Sequence, residues 1–350
     1  MKKIFKDNFI VFGIVLAVPA FCAGAEPIPF DKVYQNISLV KTLFPGQAPA
    51  VSPAGEKGFA ARALNGAAPE LAYENLLVAP LWKAPAAAAA AAVDLGAGFS
   101  PARHQGSRNL CNAFAAVGLA EYLVGEKEKN KPDFSEEFSY YNTKLKFTDT
   151  PALNGYKKEP GLPGYATVDA LRGGVVAEKE WPFLAALPAH TPVPPLTDPD
   201  LGLPPPGVAQ KVLGYGFKPV AIRRSEIKNF LSAQRRPVVM NLMLYTGNID
   251  NASGRLADPS GAQRRQCFTA GDNCGGHVVL LTGYDPAAKE YIFRNSWGAG
   301  WGAAGYGRVS EKYVAENCEA CHYLADIPGM GQGMRALTVN ASYGWSAELK

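Results

Sequence analysis

Three side chains in this 350-residue sequence have the types and local settings that nucleophilic catalysis at a carbonyl group requires. The first is Cys111, which follows a glycine-containing loop and begins a segment whose apolar residues recur at helical spacing. A cysteine in the first turn of a helix meets unpaired N–H groups, which favour the nucleophilic thiolate over the thiol. The alternative is that Cys111 is a small buried apolar residue, the usual role of a lone cysteine.

The other two side chains are a histidine and an asparagine in the second half of the chain. His277 follows two glycines and opens an apolar run typical of a strand, so its side chain is well placed to face a cleft. Asn295 begins the run Asn-Ser-Trp-Gly-Ala-Gly-Trp-Gly, residues 295–302. An asparagine carbonyl oxygen can accept a hydrogen bond from an imidazole N–H and leave the other ring nitrogen toward a thiol. The three residues together predict a thiol nucleophile with a histidine as its proton carrier.

These residues need elements that bring them together, and the apolar spacing predicts a helical region followed by a β-rich one. Eight prolines between residues 188 and 206 prevent regular structure and predict a surface crossing between two lobes. Helices are predicted from Cys111 onward and at residues 134–146, 165–172 and 225–234. Antiparallel strands are predicted at residues 237–244, 277–284, 290–293 and 306–309.

On these residues the sequence resembles the papain family of cysteine proteases, over residues 93–327. The family has a glutamine six residues before its nucleophile, and Gln105 and Cys111 keep that spacing. Its strand-borne histidine matches His277, and its Asn-Ser-Trp-Gly-x-Gly-Trp-Gly run matches residues 295–302. Segments between these motifs match in order at residues 134–137, 161, 170, 174–175 and 180–183. We expect a secreted family member of bacterial origin.

The resemblance implies the fold and a role for each of four residues. The fold would be α+β, with a mainly helical left lobe (93–205), an antiparallel β-barrel-like right lobe (206–327) and the active-site cleft between them. Cys111 would attack the scissile carbonyl and form a thioester, with His277 as acid and base and Asn295 orienting it. Gln105 and the Cys111 backbone N–H would form the oxyanion hole, and losing one such donor typically costs about 10²–10³ in rate. No metal or organic cofactor is expected, and the expected partner is a peptide or protein substrate.

Two positions depart from the family pattern. The family usually has a disulfide-bonded cysteine three residues before the nucleophile, where this sequence has Arg108. It usually has a tryptophan directly after the nucleophile, where this sequence has Asn112. Both changes leave the catalytic groups in place and alter the walls of the cleft, so they bear on subsite preference.

The N-terminal residues predict export. Lysines at positions 2, 3 and 6 precede an apolar stretch and a small-residue site ending at Ala25, the pattern of a secretory signal peptide (1–25) rather than of a membrane anchor. Residues 26–92, which end in an alanine-rich run, are interpreted as a propeptide and linker, or alternatively as an extension without an inhibitory role. Residues 328–350 form a C-terminal extension. The predicted location is therefore secreted or periplasmic, with no membrane contact after signal cleavage.

Cysteine spacing and charge narrow the interpretation further. Without Cys22, five cysteines remain, and two close-spaced pairs, Cys267 with Cys274 and Cys318 with Cys321, leave Cys111 alone. Disulfides are favoured for both pairs, although exchanged pairings stay open. Residues 318–322 also match the C-x-x-C-H signature of haem attachment, which we consider less favoured than disulfides, as is a metal site.

The net charge of +4 without a basic stripe argues against nucleic acid as a partner, and a monomer is expected.

The predicted function is thus an exported cysteine endopeptidase that needs no cofactor. Two alternatives stay open at this point. The same fold could use its thioester for transpeptidation or act only at chain ends, or it could be a catalytically silent peptide-binding module.

Overall fold

A computed structural model describes residues 82, 90–147, 161–185, 204–245, 247–269, 274–325 and three short pairs near the C-terminus, 335–336, 338–339 and 347–348. The predicted signal peptide, nearly all of the predicted propeptide and most of the proline-rich crossing lie outside the described residues. The predicted boundaries at residues 25, 92 and 327 therefore stay predictions. Within the described residues, no helix has both the length and the apolar character needed to cross a bilayer.

The helical part of the molecule is built around one buried helix. Helix α1 (Cys111–Glu128) is buried on nearly all sides of its first fourteen residues, because it lies between a strand on one side and two helices on the other. Gly118 allows the close approach to the strand, since a Cβ there would lie 3.3 Å from Leu280. The described residues hold five further α-helices: α2 (Glu136–Phe147), α3 (Gly164–Ala170), α4 (Ile227–Gln234), α5 (Gly261–Thr269) and α6 (Glu311–Asn317).

The β-rich part is a nine-stranded, mostly antiparallel sheet in the order β3-β10-β4-β7-β8-β9-β6-β5, with β1 paired to β7. Its central strand β4 is buried along its whole length and almost entirely apolar, and α1 and α3 are among the helices that contact it. The strands are β1 (Val93–Asp94), β3 (Lys218–Ile222), β4 (Val238–Tyr245), β5 (Ile249–Asp250), β6 (Arg255–Leu256), β7 (Cys274–Asp285), β8 (Glu290–Arg294), β9 (Tyr306–Ser310) and β10 (Cys318–Ala325). A short β2 (Leu213–Gly214) lies outside this sheet and pairs with β11 (Arg335–Ala336), and β12 (Thr338–Val339) pairs with β13 (Ala347–Glu348).

The predicted elements are confirmed, with ends displaced by a few residues. The helix predicted at residues 134–146 begins at Glu136, and the strand predicted at 277–284 extends over residues 274–285. Strands β3 and β10 and helices α5 and α6 were not predicted. Strand β10 carries polar and small residues, so periodicity alone does not reveal that it is bonded to both β3 and β4.

The chain just before the predicted peptidase region contacts the β lobe at two points. The Trp82 backbone N–H donates to Ala221 of β3, and its ring meets Phe230 of α4 edge-on at a centroid distance of 5.1 Å. The Ser232 hydroxyl of α4 donates to the carbonyl of Ala91 at 2.7 Å. These residues therefore pack on the outer edge of the sheet.

Candidate active site

The nucleophile segment places Cys111 at the first position of α1, as predicted. The first backbone bond of the helix runs from Phe114 to Leu110, so the N–H groups of residues 111–113 have no carbonyl partner within the helix. Backbone hydrogen bonds from Val278, Asn112 and Cys111 itself reach the thiol and lower its pKa. Val278 directly follows His277 in β7, so the helix start and the start of that strand meet at the thiol.

The Gln105 side chain lies in the same segment and is held at both ends of its amide. Its Oε1 accepts from the Ser296 hydroxyl at 2.5 Å, and its Nε2 donates to the Arg108 carbonyl at 2.6 Å. The amide nitrogen carries two N–H groups, so one remains for a further acceptor. The Gln105 amide is thus buried and joined to Ser296, the residue after Asn295, and to the loop that precedes Cys111.

His277 and Asn295 meet as the sequence predicts. Nε2 of His277 lies 2.8 Å from Oδ1 of Asn295, which also accepts the backbone N–H of Ser296. Because Oδ1 can only accept, the imidazole proton is on Nε2 and its Nδ1 is the nitrogen left for another partner. The Trp297 ring stacks on the imidazole at a centroid distance of 4.8 Å and shields this contact from water.

The two lobes are joined beside these side chains by a short pairing of loops. The Gln105 backbone N–H donates to Ser296 at 2.8 Å, and that of Gly298 donates to Arg103 at 3.1 Å. His104 lies between them, opposite Trp297 in an isolated β-bridge. The segment that carries the predicted oxyanion donor is thereby attached to the segment that carries Asn295.

Burial sets the charge state of the two central groups. Burial raises the pKa of the Cys111 thiol to about 11, and the three backbone hydrogen bonds only partly oppose this effect. Burial also lowers the pKa of His277 to about 4, although the hydrogen bond that its ring N–H donates to Asn295 acts to raise it. Neither group therefore carries a charge by itself at neutral pH.

The structure also shows what replaces the family's disulfide three residues before the nucleophile. Arg108 is buried and forms a two-pronged ion pair with Glu137, in the first turn of α2. Asn112 is buried too, and its amide donates to Thr167 of α3 at 2.6 Å. Sequence reasoning missed both contacts, although an arginine and an asparagine within a predicted core helix region were the available signal.

The cysteine predictions have different outcomes. Cys267 and Cys274 form the predicted disulfide, which joins α5 to the first residue of β7. Cys318 and Cys321 are in contact but not covalently joined, with their sulfur atoms 3.0 Å apart, so the predicted second disulfide is not formed here. The C-x-x-C-H segment lies within β10, which is bonded on both sides, and its two cysteines and its histidine are buried, which leaves no open face for a haem. No group of residues suited to bind a metal ion occurs in the described parts of the chain.

Comparisons with known proteins find a family domain on part of the chain. A papain family cysteine protease domain is found at residues 233–325, which include His277 and Asn295. The chain is 27% identical over 213 residues to a cysteine protease of Blomia tropicalis, covering 59% of this chain and 56% of that protein. It is 25% identical over 245 residues to the probable cysteine protease RD21C of Arabidopsis thaliana, covering 67% and 46%. The chain thus spans about half the length of the curated relatives it matches.

Among solved structures, the chain is similar to xylellain, a cysteine protease from Xylella fastidiosa. The TM-score is 0.57 at 20% identity, over 71% of this chain and 92% of that one. The chain therefore has the α+β papain-like fold that the sequence predicted. The curated relatives are mostly eukaryotic or viral, so the expectation of a bacterial member is not borne out.

Proposed function

We propose that this protein is a cysteine peptidase that cleaves peptide bonds through a thioester on Cys111. The observation that carries the proposal is the His277–Asn295 pair under Trp297, directly beside the helix start that carries Cys111. A buried cysteine with a structural role needs no oriented imidazole beside it, whereas a nucleophile does. The profile match and the relatives support the same activity.

In the first half of the reaction, the sulfur of Cys111 attacks the carbonyl carbon of the substrate. The thiol proton moves to Nδ1 of His277, and a carbon–sulfur bond forms while the carbonyl oxygen becomes an oxyanion. The remaining N–H of the Gln105 amide and the Cys111 backbone N–H are the donors for this oxyanion. Collapse breaks the carbon–nitrogen bond, and the amine leaves with the proton from His277.

In the second half, water attacks the thioester and His277 takes its proton. The carbon–sulfur bond breaks, the acid product leaves, and the proton returns to the sulfur of Cys111. Burial strengthens the attraction between a thiolate and an imidazolium just as it penalises each charge alone. The proton transfer therefore creates a neutral pair of opposite charges and not a single buried ion.

We further propose that the protein acts as an exported endopeptidase, with residues 26–92 as a propeptide. The support is the signal-peptide pattern and the alanine-rich run before residue 93. The peptide substrate, the endopeptidase mode and the inhibitory role of the propeptide all belong to this proposal.

The test is hydrolysis of a mixed peptide library by residues 26–350 and by the same chain with Cys111→Ala. Product masses over time should show internal cleavage with the first protein and none with the variant. Self-trimming near residue 92 in the first protein alone would support the propeptide. A thiol-directed epoxide that labels Cys111 while no peptide is cut would contradict hydrolysis, and products joined to an added amine would indicate transfer instead.

A further inference from the structure

Cys318 and Cys321 form a pair of buried thiols that the proposed chemistry does not use. Each is 2% exposed, and their sulfur atoms lie 3.0 Å apart. Residues three apart in a regular strand lie on opposite faces, so this contact needs an explanation.

A β-bulge at the start of β10 supplies it. Cys318 is opposite Leu242 of β4 and Ala320 is opposite Asn241, so two steps along β10 match a single step along β4. The extra residue, Glu319, restores both cysteines to one face. Arg224 fixes this turn of the chain, because its guanidinium donates to the carbonyls of Cys318 at 3.0 Å and of Ala315 at 3.1 Å.

A metal site does not fit the same residues. His322 follows Cys321 directly and therefore points to the other face, where its ring lies 6.0 Å from that of Tyr165 in α3. The two thiols are thus without the histidine that a C-x-x-C-H metal or haem site would use.

We propose that Cys318 and Cys321 form a second disulfide when the protein folds under oxidising conditions. The oxidant is a low-molecular-weight disulfide such as glutathione disulfide. The thiolate of one cysteine attacks a sulfur of the oxidant and releases one thiol; the other cysteine then attacks the mixed disulfide and releases the second. Two protein thiols are oxidised and one disulfide is reduced to two thiols. Because both cysteines are buried once β10 is paired, the exchange precedes completion of the sheet.

Counting alkylated cysteines tests this proposal on the protein from residue 26 onward, which has five cysteines. After folding in glutathione buffer, the unfolded protein should take up one iodoacetamide group, at Cys111, and five after reduction. The Cys318→Ala/Cys321→Ala control should also take up one before reduction, and it should melt several degrees lower than the oxidised protein. Three groups before reduction, or a peptide map that joins either cysteine to Cys267 or Cys274, would overturn the proposal.

A second inference is carried by Arg108, in the segment between Gln105 and Cys111. Its guanidinium binds both carboxylate oxygens of Glu137, donates to the Leu184 carbonyl at 2.8 Å and lies 5.3 Å from the centre of the Phe183 ring. The Leu184 backbone N–H in turn donates to Glu137 at 3.1 Å. Arg108 and Glu137 thus bind each other, and both also contact residues 183–184.

Residues 183–185 also contact the loop that precedes Cys111. The Ser107 backbone N–H donates to the Ala185 carbonyl at 3.2 Å. Gly106 has a φ of +62°, and a Cβ there would come within 2.0 Å of that carbonyl oxygen. Only glycine therefore permits this loop to lie against residues 183–185.

We infer that Arg108 is a positioning residue for the oxyanion hole, an inference that rests on the proposed function. Its side chain fixes the loop, and its carbonyl accepts the Gln105 amide at 2.6 Å. A two-pronged, charge-assisted ion pair supplies direction as well as attraction, which is what a loop without the usual disulfide needs.

Alkylation of Cys111 separates positioning from general damage. Iodoacetamide needs a reactive thiolate but forms no oxyanion, whereas peptide hydrolysis needs both. The Arg108→Met/Glu137→Met protein removes the pair without leaving one buried charge. It should lose about 10–10² in kcat with KM little changed, less than the about 10²–10³ that losing a donor outright costs. Its alkylation rate should stay the same, and Arg108→Lys should recover part of kcat.

Arg103→Met/Glu136→Met is the matched control, because Arg103 pairs with Glu136, the neighbour of Glu137, without holding Gln105. It should lower the melting temperature without separating the two rates. Equal losses in hydrolysis and alkylation for the Arg108 variant would overturn the inference. The side-chain amide resonances of Gln105, recorded in Cys111→Ala protein, should move when the Arg108–Glu137 pair is replaced. Unmoved resonances would overturn the inference even if the protein proves not to be a peptidase.

Discussion

The two sides of the proposed catalytic pair are held in place by different physical means. The nucleophile segment, residues 104–111, depends on a few polar contacts to distant parts of the chain, above all the Arg108–Glu137 ion pair. His277 lies in a strand bonded to neighbours and stacks on Trp297, which itself meets Trp301 edge-on at 5.2 Å. The position of the histidine thus depends on a sheet and an aromatic core, whereas the position of the proposed oxyanion donors depends on hydrogen bonds and one buried ion pair.

The largest expected effect comes from removing one group on each side. His277→Ala should lower kcat/KM by about 10²–10⁴ and slow Cys111 alkylation as well, because the imidazole accepts the thiol proton. Gln105→Ala should lower kcat/KM by about 10²–10³ and leave alkylation unchanged. Measuring peptide hydrolysis and Cys111 alkylation for both variants checks this difference. Slower alkylation in the Gln105 variant would contradict it.

The buried His277 should make the free energy of unfolding depend on pH. Burial lowers the pKa of His277 to about 4, while the unfolded chain binds this proton near pH 6.5. The unfolded state therefore holds more protons at this residue between these values, so His277 should contribute a loss of about 3 kcal/mol in the free energy of unfolding as the pH drops from 6.5 to 4. Glu121 acts in the opposite direction, because burial raises its pKa to about 7 and the folded state then holds the extra proton. Urea unfolding of Cys111→Ala protein measures this without self-digestion.

A second buried histidine provides the control for that measurement. Burial lowers the pKa of His322 to about 3, so it should add a similar loss over the same pH range. The change in the free energy of unfolding on acidification should therefore be less unfavourable by about 3 kcal/mol in His322→Phe than in the parent protein, because all other titrating groups are common to both. An identical pH dependence in both proteins would contradict this assignment.

Removing the Cys267–Cys274 disulfide, which lies just before His277, tests whether the position of His277 depends on this cross-link. Cys267→Ala/Cys274→Ala removes a cross-link with a sequence separation of 7, which should lower the free energy of unfolding by about 2 kcal/mol. Activity should change little, because the strand bonds of β7 still hold His277. A kcat loss as large as that of the Arg108–Glu137 replacement would show that the position of His277 also depends on a single contact, the disulfide.

The smallest expected effect is at Asn295. Its hydrogen bond raises the pKa of His277, so Asn295→Ala should lower that pKa further. The loss in kcat/KM should be about tenfold, less than the about 10²–10⁴ expected for His277→Ala, because the imidazole itself remains. Titration of the His277 ring signals by NMR, in Cys111→Ala protein with and without Asn295, checks the direction. A raised pKa in the double variant would contradict the assigned role of Asn295.

Much of the fold and of the candidate site was predictable because its signals are local. Helical spacing after Cys111 predicted α1, and the apolar run after His277 predicted β7. Strand β10 escaped prediction because its buried positions hold cysteines and a histidine in place of the usual β-branched residues. Its place between β3 and β4 follows from pairing over long sequence separations, which periodicity does not report.

By itself the sequence determined which groups are available for chemistry: a cysteine at a helix start, a histidine at a strand start, and an asparagine and a glutamine in recognisable runs. Only the tertiary structure decided how they are held. Arg108 and Glu137 are 29 residues apart, and Ser296 and Gln105 are 191 apart, so no local pattern links them. The bulge that brings Cys318 to Cys321 likewise exists only because β10 is paired with β4. The physical reason is that spacing along the chain governs local geometry, whereas buried ion pairs, hydrogen bonds and strand register depend on which distant segments pack together.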